Sequence, residues 1–334
     1  MALLAAFALA LVLSLLLTPL GVRLAWVSGY LDHPEARKLH TSATALLGGT
    51  VVFFSALVAW LISLGGTSAP ARDVLCVLGG AAVILVVGLW DDRFGLSVHV
   101  KMVGQLSASA LMLASGLVPD LGMGPVANVA VTLMAMVALM NAVNFLDNMN
   151  GMVAGLAAIA LVGFAWGSIT RGAFGVATAQ LALAGACAGF LRYNFPRARI
   201  FLGDAGSLFL GYSLGASAVM AYVGLPRGWG LAGPFLALAY PMFDIIFVVV
   251  NRLREGRPVS QGGKDHSNHR LARIIQCQKR TVILTWLVGA ALSASALVAQ
   301  SLNSALPTLL LLALWGMFFL MAGLRLSSVD HKTP

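Results

Sequence analysis

AAVILVVGLWDDRFG, residues 81–95, carries an apolar run directly into two adjacent carboxylates, Asp91 and Asp92. Counted from residue 72, the run is long enough for a helix to cross the hydrocarbon of a bilayer, which takes about 20 mostly apolar residues. Two carboxylates at the end of such a helix are costly unless a cation, a metal or a charged substrate meets them there. Arg93 and Lys101 are near enough in sequence to neutralise the pair, which is the purely structural reading. The other reading is chemistry at a membrane surface, since ionisable groups at a membrane edge are functional candidates by default.

The apolar half of this pattern recurs along the chain. Of 334 residues, 59% are hydrophobic and 10% charged, against about 25% charged in an ordinary soluble domain. Mean hydropathy is +0.90. Eleven runs are expected to span, over 3–20, 46–65, 72–90, 102–118, 126–145, 152–170, 174–192, 204–224, 229–250, 281–300 and 305–325. The expected fold class is all-α, a polytopic membrane protein of about eleven transmembrane helices with cytoplasmic active-site loops. The longest hydrophilic stretch, 251–280, is too short to fold alone, so residues 1–334 read as one integral membrane domain. The opening MALLAAFALALVLSLLLTPL lacks a basic n-region and a small-x-small cleavage site, and reads as a retained first span.

With the N-terminus outside and the C-terminus inside, 18 of the 21 Lys and Arg fall in inner segments, leaving Arg72, Arg171 and Arg227 outside. The positive-inside rule then sets the orientation and puts nearly every carboxylate and histidine on the cytoplasmic face. The net charge of +9 is spread over short loops, so it serves topology and contact with anionic membrane lipid, and no nucleic acid partner is expected. Cys76, Cys187 and Cys277 are scattered without ligand spacing and argue for neither disulfide nor zinc.

Three further polar segments interrupt the apolar pattern on that face. In NAVNFLDNMNGM, Asn141, Asn144 and Asp147 recur every three residues and share one helical face, which needs partners inside the bundle. Asn148, Asn150 and Gly151 should then turn the chain out of the helix and leave backbone N–H groups for a phosphate or base. In FLGDAGSLFLG, Asp204 opens the eighth span, where it is either an N-cap or a hard oxygen ligand for Mg²⁺. GGKDHSNHRL, 262–271, gathers Lys264, Asp265, His266, His269 and Arg270. No cysteine or third histidine completes a zinc set there, and a cationic loop gripping a nucleotide diphosphate suits these residues better. Asp244, a charge inside the ninth span, is expected to pair with inner-face cations in a supporting role.

LDHPEARKLH, WDDRFGL, NAVNFLDNMNG, RYNFPRARIFLGDAGSLFLG, PMFD and GGKDHSNHRL, in this order along most of the chain, resemble the polyprenyl-phosphate N-acetylhexosamine-1-phosphate transferase family, glycosyltransferase family 4. The resemblance implies a multispan enzyme of the bacterial cytoplasmic membrane that uses Mg²⁺, with Mn²⁺ as a substitute, to move a sugar 1-phosphate from a UDP-sugar donor to a polyprenyl phosphate acceptor, releasing UMP. It is compatible with a homodimer. It implies that Asp91 and Asp92 serve the acceptor phosphate as base or electrostatic anchor, that Asp147 is the first aspartate of the third acidic motif, and that Asp204 holds the metal. By the same resemblance Asn194 and Phe201 contact the uridine, His266 and His269 lie near sugar and diphosphate, and Lys38 and Lys101 face phosphates. Two departures stand out: Asn150 replaces a second aspartate but can still hydrogen-bond a uracil, and TSATALLGG lacks the proline usual before its glycine pair.

Within the family, DHPEARKLH and DHSNHRL look more like the branch that uses UDP-N-acetylglucosamine and undecaprenyl phosphate than the branch that transfers phospho-muramoyl-pentapeptide. Arg270 would join the two histidines in clamping the donor. The competing class is an ion-coupled membrane transporter, but its carboxylates would be expected near the bilayer midplane rather than at inner helix ends.

Overall fold

The computed structural model describes residues 2–33, 43–63, 71–223, 228–259 and 263–329; Lys38 lies outside the described residues. The chain runs α1 (Ala2–Ser28), a short ladder of β1 (Leu31–Asp32) and β2 (Thr44–Ala45), then α2 (Gly48–Ser63), α3 (Ala71–Phe94), α4 (Val98–Leu113), α5 (Pro125–Leu146), α6 (Met152–Thr170), α7 (Phe174–Asn194) and α8 (Gly203–Val223). A 3₁₀ turn at Trp229–Leu231 leads into α9 (Ala232–Ala237) and α10 (Ala239–Arg254), followed by α11 (Ser267–Ile275), α12 (Gln278–Leu302) and α13 (Ala305–Ser327). Helices are the natural outcome for such apolar segments, because in lipid each backbone polar group must find its partner within the segment.

The expected eleven spans are found as helices, but not all as full crossings. Among the described residues eight helices are long and apolar enough to cross a membrane. A ninth crossing results if the segment Trp229–Ala237 and α10, bent by 66° at their junction, act as one span. Helices α2 and α4 have 16 residues each, short of the about 20 that a crossing takes. Helix starts follow local chemistry: the Ser97 hydroxyl accepts the Val100 N–H at the start of α4, and Pro125 opens α5 where its missing N–H costs nothing.

The core is built around α8. Its apolar window is 72% buried, whereas that of α13 is 6% buried, so α8 is the axis and α13 the periphery. Small residues permit this. A Cβ on Gly49 would overlap the backbone of Gly206, one on Gly88 the backbone of Asp204 and Ala205, and one on Gly211 the backbone of Met140. Helices α2, α3 and α5 therefore each touch α8 at a glycine, the close approach that compensates in lipid for the missing hydrophobic drive.

These contacts gather α3's last turn and α8's first turn at one end of the bundle, called here the aspartate end. There the ladder Leu31↔Ala45 and Asp32↔Thr44 is extended by the Phe201 N–H donating to Ala45 O at 2.8 Å. Gly48 N–H and Gly49 N–H in turn donate to Phe201 O and Leu202 O at 3.0 and 2.9 Å. The segment before α8 is thus fixed to the start of α2.

Candidate active site

The junction of α3 and α8 is made by Asp92. Its two carboxylate oxygens accept the N–H groups of Asp204 at 2.7 Å and Ala205 at 3.1 Å. First-turn N–H groups have no partner inside their own helix, and a carboxylate also suits the positive end of the helix dipole. Gly203 has φ 71°, and a Cβ there would collide with the Asp92 carboxylate. Asp92 therefore caps α8 from another helix, and Asp204, an N-cap candidate by sequence, is released from that duty.

The Asp204 carboxylate instead meets side chains of two other helices. Oδ1 accepts from Asn144 Nδ2 of α5 at 2.9 Å, and Oδ2 from Lys101 Nζ of α4 at 3.1 Å. Asn144 also donates to Ser207 Oγ at 2.9 Å, one turn along α8. Lys101 forms a second ion pair with Asp91 of α3, whose other oxygen accepts the Leu96 N–H at 2.6 Å. Asp91 and Asp204 thus converge on one ammonium, which marks the point where the site calls for positive charge.

Asp147 caps the end of α5 beside this cluster. Burial, and next the charge of Asp204, push its carboxyl up to about 7. The turn after it forms as its composition predicts, with Gly151 in the left-handed region at φ 78°. The Gly151 N–H is not left for a ligand, however: it donates to Asn194 Oδ1 at 2.7 Å, while Asn194 Nδ2 donates to Ile200 O at 2.8 Å. Asn194 is buried and joins the α5–α6 turn to the α7–α8 segment. Asn150 Nδ2 reaches Pro196 O at 3.2 Å across the same seam. Asn141 pairs with Gln105 of α4 in both directions, at 2.8 and 3.2 Å, which bonds α5 to α4. Phe201 contributes through its backbone to the ladder already described.

Residues 263–271 pack at this end through Asn268. Asp265 holds Arg252 by two bonds of 2.9 and 2.8 Å and Arg257 by one of 2.7 Å. Burial opposes ionisation of Asp265, but Arg252 and then Arg257 outweigh it and hold the carboxyl well below the usual range. Asn268 Nδ2 donates to Asn148 Oδ1 at 2.6 Å, docking α11 on the α5–α6 turn. His266 and His269 are buried with their rings 5.7 Å apart. Burial, and next the charge of His266, push the His269 imidazole down to about 4. Its Nδ1 is buried without a partner among the described residues.

Arg270, expected in the donor clamp, is committed elsewhere. Its guanidinium donates to Leu326 O at 3.3 Å, Ser327 O at 3.1 Å and Val329 O at 3.2 Å, closing the carbonyl end of α13. Asp244 was expected to meet a cation, and its partners are instead His266 Nδ1 at 2.8 Å and the Ser267 N–H and Oγ at 2.8 and 2.5 Å. Gln105, Ser207, Asn268 and Arg252 were not singled out from the sequence; Ser207, three residues after Asp204, and Asn268, between His266 and His269, carried a local signal, and the other two did not.

The residues brought together are Asp91, Lys101, Asn144, Asp147 and Asp204, with the His266–His269 segment docked beside the end of α5 through the Asn148–Asn268 contact and the Phe145 ring. Asp204 and Asp91 could hold a hard divalent ion, because two carboxylates leave positions for water and phosphate oxygens, as Mg²⁺ prefers. Among the described residues no three His, Cys, Asp or Glu side chains form a ready-made ligand cluster. That sparse donor set suits an ion completed by its substrate better than a structural zinc or a calcium cage.

A profile described as glycosyl transferase family 4 matches residues 74–222, the stretch that contains Asp91, Asp92, Lys101, Asp147 and Asp204. The chain is 31% identical over 308 residues to the probable undecaprenyl-phosphate N-acetylglucosaminyl 1-phosphate transferase of Bacillus subtilis, covering 89% of this chain and 84% of that protein. It is 31% identical over 294 residues to the decaprenyl-phosphate N-acetylglucosaminephosphotransferase of Mycobacterium tuberculosis H37Rv, covering 78% and 73%. It is also 30% identical over 326 residues to the phospho-N-acetylmuramoyl-pentapeptide-transferase of Desulforudis audaxviator, covering 86% and 94%.

Proposed function

The chain belongs to glycosyl transferase family 4, and from that premise we propose that it transfers N-acetylglucosamine 1-phosphate from a UDP-sugar to undecaprenyl phosphate at the cytoplasmic face of a bacterial membrane, releasing UMP. The observation that carries the proposal is the convergence of Asp91, Lys101, Asn144 and Asp204 from four helices at one end of the bundle. A transporter site would be expected at mid-depth, whereas these residues lie in last and first turns.

In the proposed reaction an oxygen of the lipid phosphate attacks the β-phosphorus of the UDP-sugar. A new P–O bond forms, the bridge between the two donor phosphates breaks, and its electron pair leaves with UMP. Positioning and electrostatics dominate such transfers. Magnesium held by Asp204 with Asp91 would neutralise the diphosphate and the charge growing on UMP. Lys101 can shift its ammonium from the two carboxylates to an incoming phosphate, and Asn144 keeps Asp204 oriented while it does so. Asp147, protonated up to about pH 7, can accept a proton above it. Asp92 serves by fixing the start of α8 and hence Asp204.

The muramoyl-pentapeptide branch is the second reading, favoured by the coverage of 94% of the Desulforudis relative. Transfer of sugar-labelled donor into the organic phase tests both. Label from UDP-N-acetylglucosamine should partition with undecaprenyl phosphate, and label from UDP-N-acetylmuramoyl-pentapeptide should not. The reverse outcome would move the chain to the other branch.

A further inference from the structure

We infer that Asp244 is a positioning residue that sets which ring nitrogen of His266 is offered to the active site. Asp244 is fully buried on α10, and both its oxygens are used on the segment that begins α11. Oδ2 meets His266 Nδ1 at 2.8 Å, and Oδ1 accepts the Ser267 N–H and the Ser267 hydroxyl at 2.8 and 2.5 Å. An ionised carboxylate only accepts, so Nδ1 carries the proton and Nε2 is the nitrogen left for a ligand.

The surroundings fix the ring as well as its tautomer. The Phe145 ring lies 6.1 Å from the His266 ring, and Phe145 stands two residues before Asp147, so His266 is packed against the end of α5 that bears the acidic turn. The His269 ring lies 5.7 Å from the His266 ring, edge to face. Ser267 is buttressed by Tyr240 Oη at 3.4 Å, which also lies 3.5 Å from Thr285 Oγ1 of α12. The carboxylate therefore acts at a distance, through His266 and the first turn of α11, in the way partners behind metal-ligating histidines fix tautomer and orientation.

The test combines a spectroscopic readout with kinetics. In protein labelled with ¹⁵N-histidine, the His266 signal, identified among the six histidines by its loss in His266→Gln, should report a proton on Nδ1 at pH 8. In Asp244→Asn the side-chain amide can donate to Nδ1, and the signal should change to the Nε2–H form. The same variant should lose about 10- to 100-fold in kcat with a smaller change in KM for the donor, the usual cost of removing such a partner. Added to His266→Gln it should cost almost nothing more, because the two act as one unit. A wild-type spectrum with the proton on Nε2 would overturn the assignment even if Asp244→Asn failed to fold. Additive losses in the double variant would overturn it too, since a merely structural role for Asp244 predicts additivity. The kinetic arm rests on the transferase reading, but the tautomer does not, so failure of UMP release in the wild type would count against the reaction and leave this assignment standing or falling on the spectrum.

Discussion

At the level of single residues, Asp92 and Asp204 divide two tasks, one holding backbone and the other presenting its charge to the site. Asp204 presents its carboxylate to Lys101 and Asn144, whereas Asp92 turns both oxygens to the backbone of α8. Asp204→Asn should fold with near-normal stability and lose about 100-fold or more in turnover, the scale of removing a central electrostatic group. Asp92→Ala should lower unfolding stability by about 1 kcal/mol, the usual cost of an N-cap, while Asp92→Asn, which retains a capping oxygen, should recover most of it. Denaturation in detergent beside activity assays distinguishes these outcomes; equal stability for Asp92→Ala and the wild type would contradict the capping role. The presence of Asp204 and Asp91 in the site was legible from sequence because each sits at the end of an apolar run. The division of labour was not, since Asp92 and its partners lie more than 100 residues apart in the chain.

Asp147 carries a pH prediction at the same scale. Its folded-state value of about 7 lies above the ordinary carboxylate range, so folding favours the protonated form. Its contribution to stability is present below the unfolded value and is lost as pH rises toward and through about 7. Metal-free protein should therefore gain less from transfer to alkaline buffer than Asp147→Asn does. The measurement is the thermal midpoint of both proteins at pH 5.5 and pH 8. A pH response unchanged by the substitution would exclude Asp147 as the source.

At the scale of elements, the site depends on how closely helices approach and on what closes their ends. Gly88 sets the α3–α8 distance, and a Cβ there would overlap the backbone of Asp204 and Ala205. Gly88→Val should therefore displace α8 from Asp92 and abolish activity without touching a polar group. Overpacking of this kind costs about 1–3 kcal/mol, so reduced thermal stability should accompany the loss; a fully active, equally stable variant would refute the packing argument. Helix positions were readable from hydropathy, but helix ends were not. Lys101, expected just before its span, lies in the first turn of α4 because Ser97 starts that helix earlier. The bend between α9 and α10 is invisible to hydropathy over 229–250 but is marked by Pro241, which has no N–H to donate to the Ala237 carbonyl where α9 ends. Arg270 was legible as a cation and not as the closure of α13, because its acceptors stand 56 to 59 residues away. Asp244 and Asp92 share a physical role: each is a carboxylate on one helix that accepts backbone N–H at the start of another, one from Ser267 for Asp244 and two from α8 for Asp92.

At the scale of the whole molecule, the helices alternate so that the end of α3, α5, α7, α10 and α13 meets the start of α4, α6, α8 and α12 on one face. The distribution of 18 of 21 cations is what supports the proposal that this face is cytoplasmic. Single cysteines placed at Asn150 and at Asp120, in a background with Cys76, Cys187 and Cys277 replaced, test this with a membrane-impermeant thiol reagent. In intact cells only the cysteine at 120 should react, and in inverted vesicles only the cysteine at 150; the opposite pattern would invert the protein. The central claim is the reaction itself, and UMP release by purified protein tests it most directly. Release from UDP-N-acetylglucosamine should require both undecaprenyl phosphate and magnesium and should disappear in Asp204→Asn. Release that persists without the lipid phosphate, or survives the loss of Asp204, would contradict the claim.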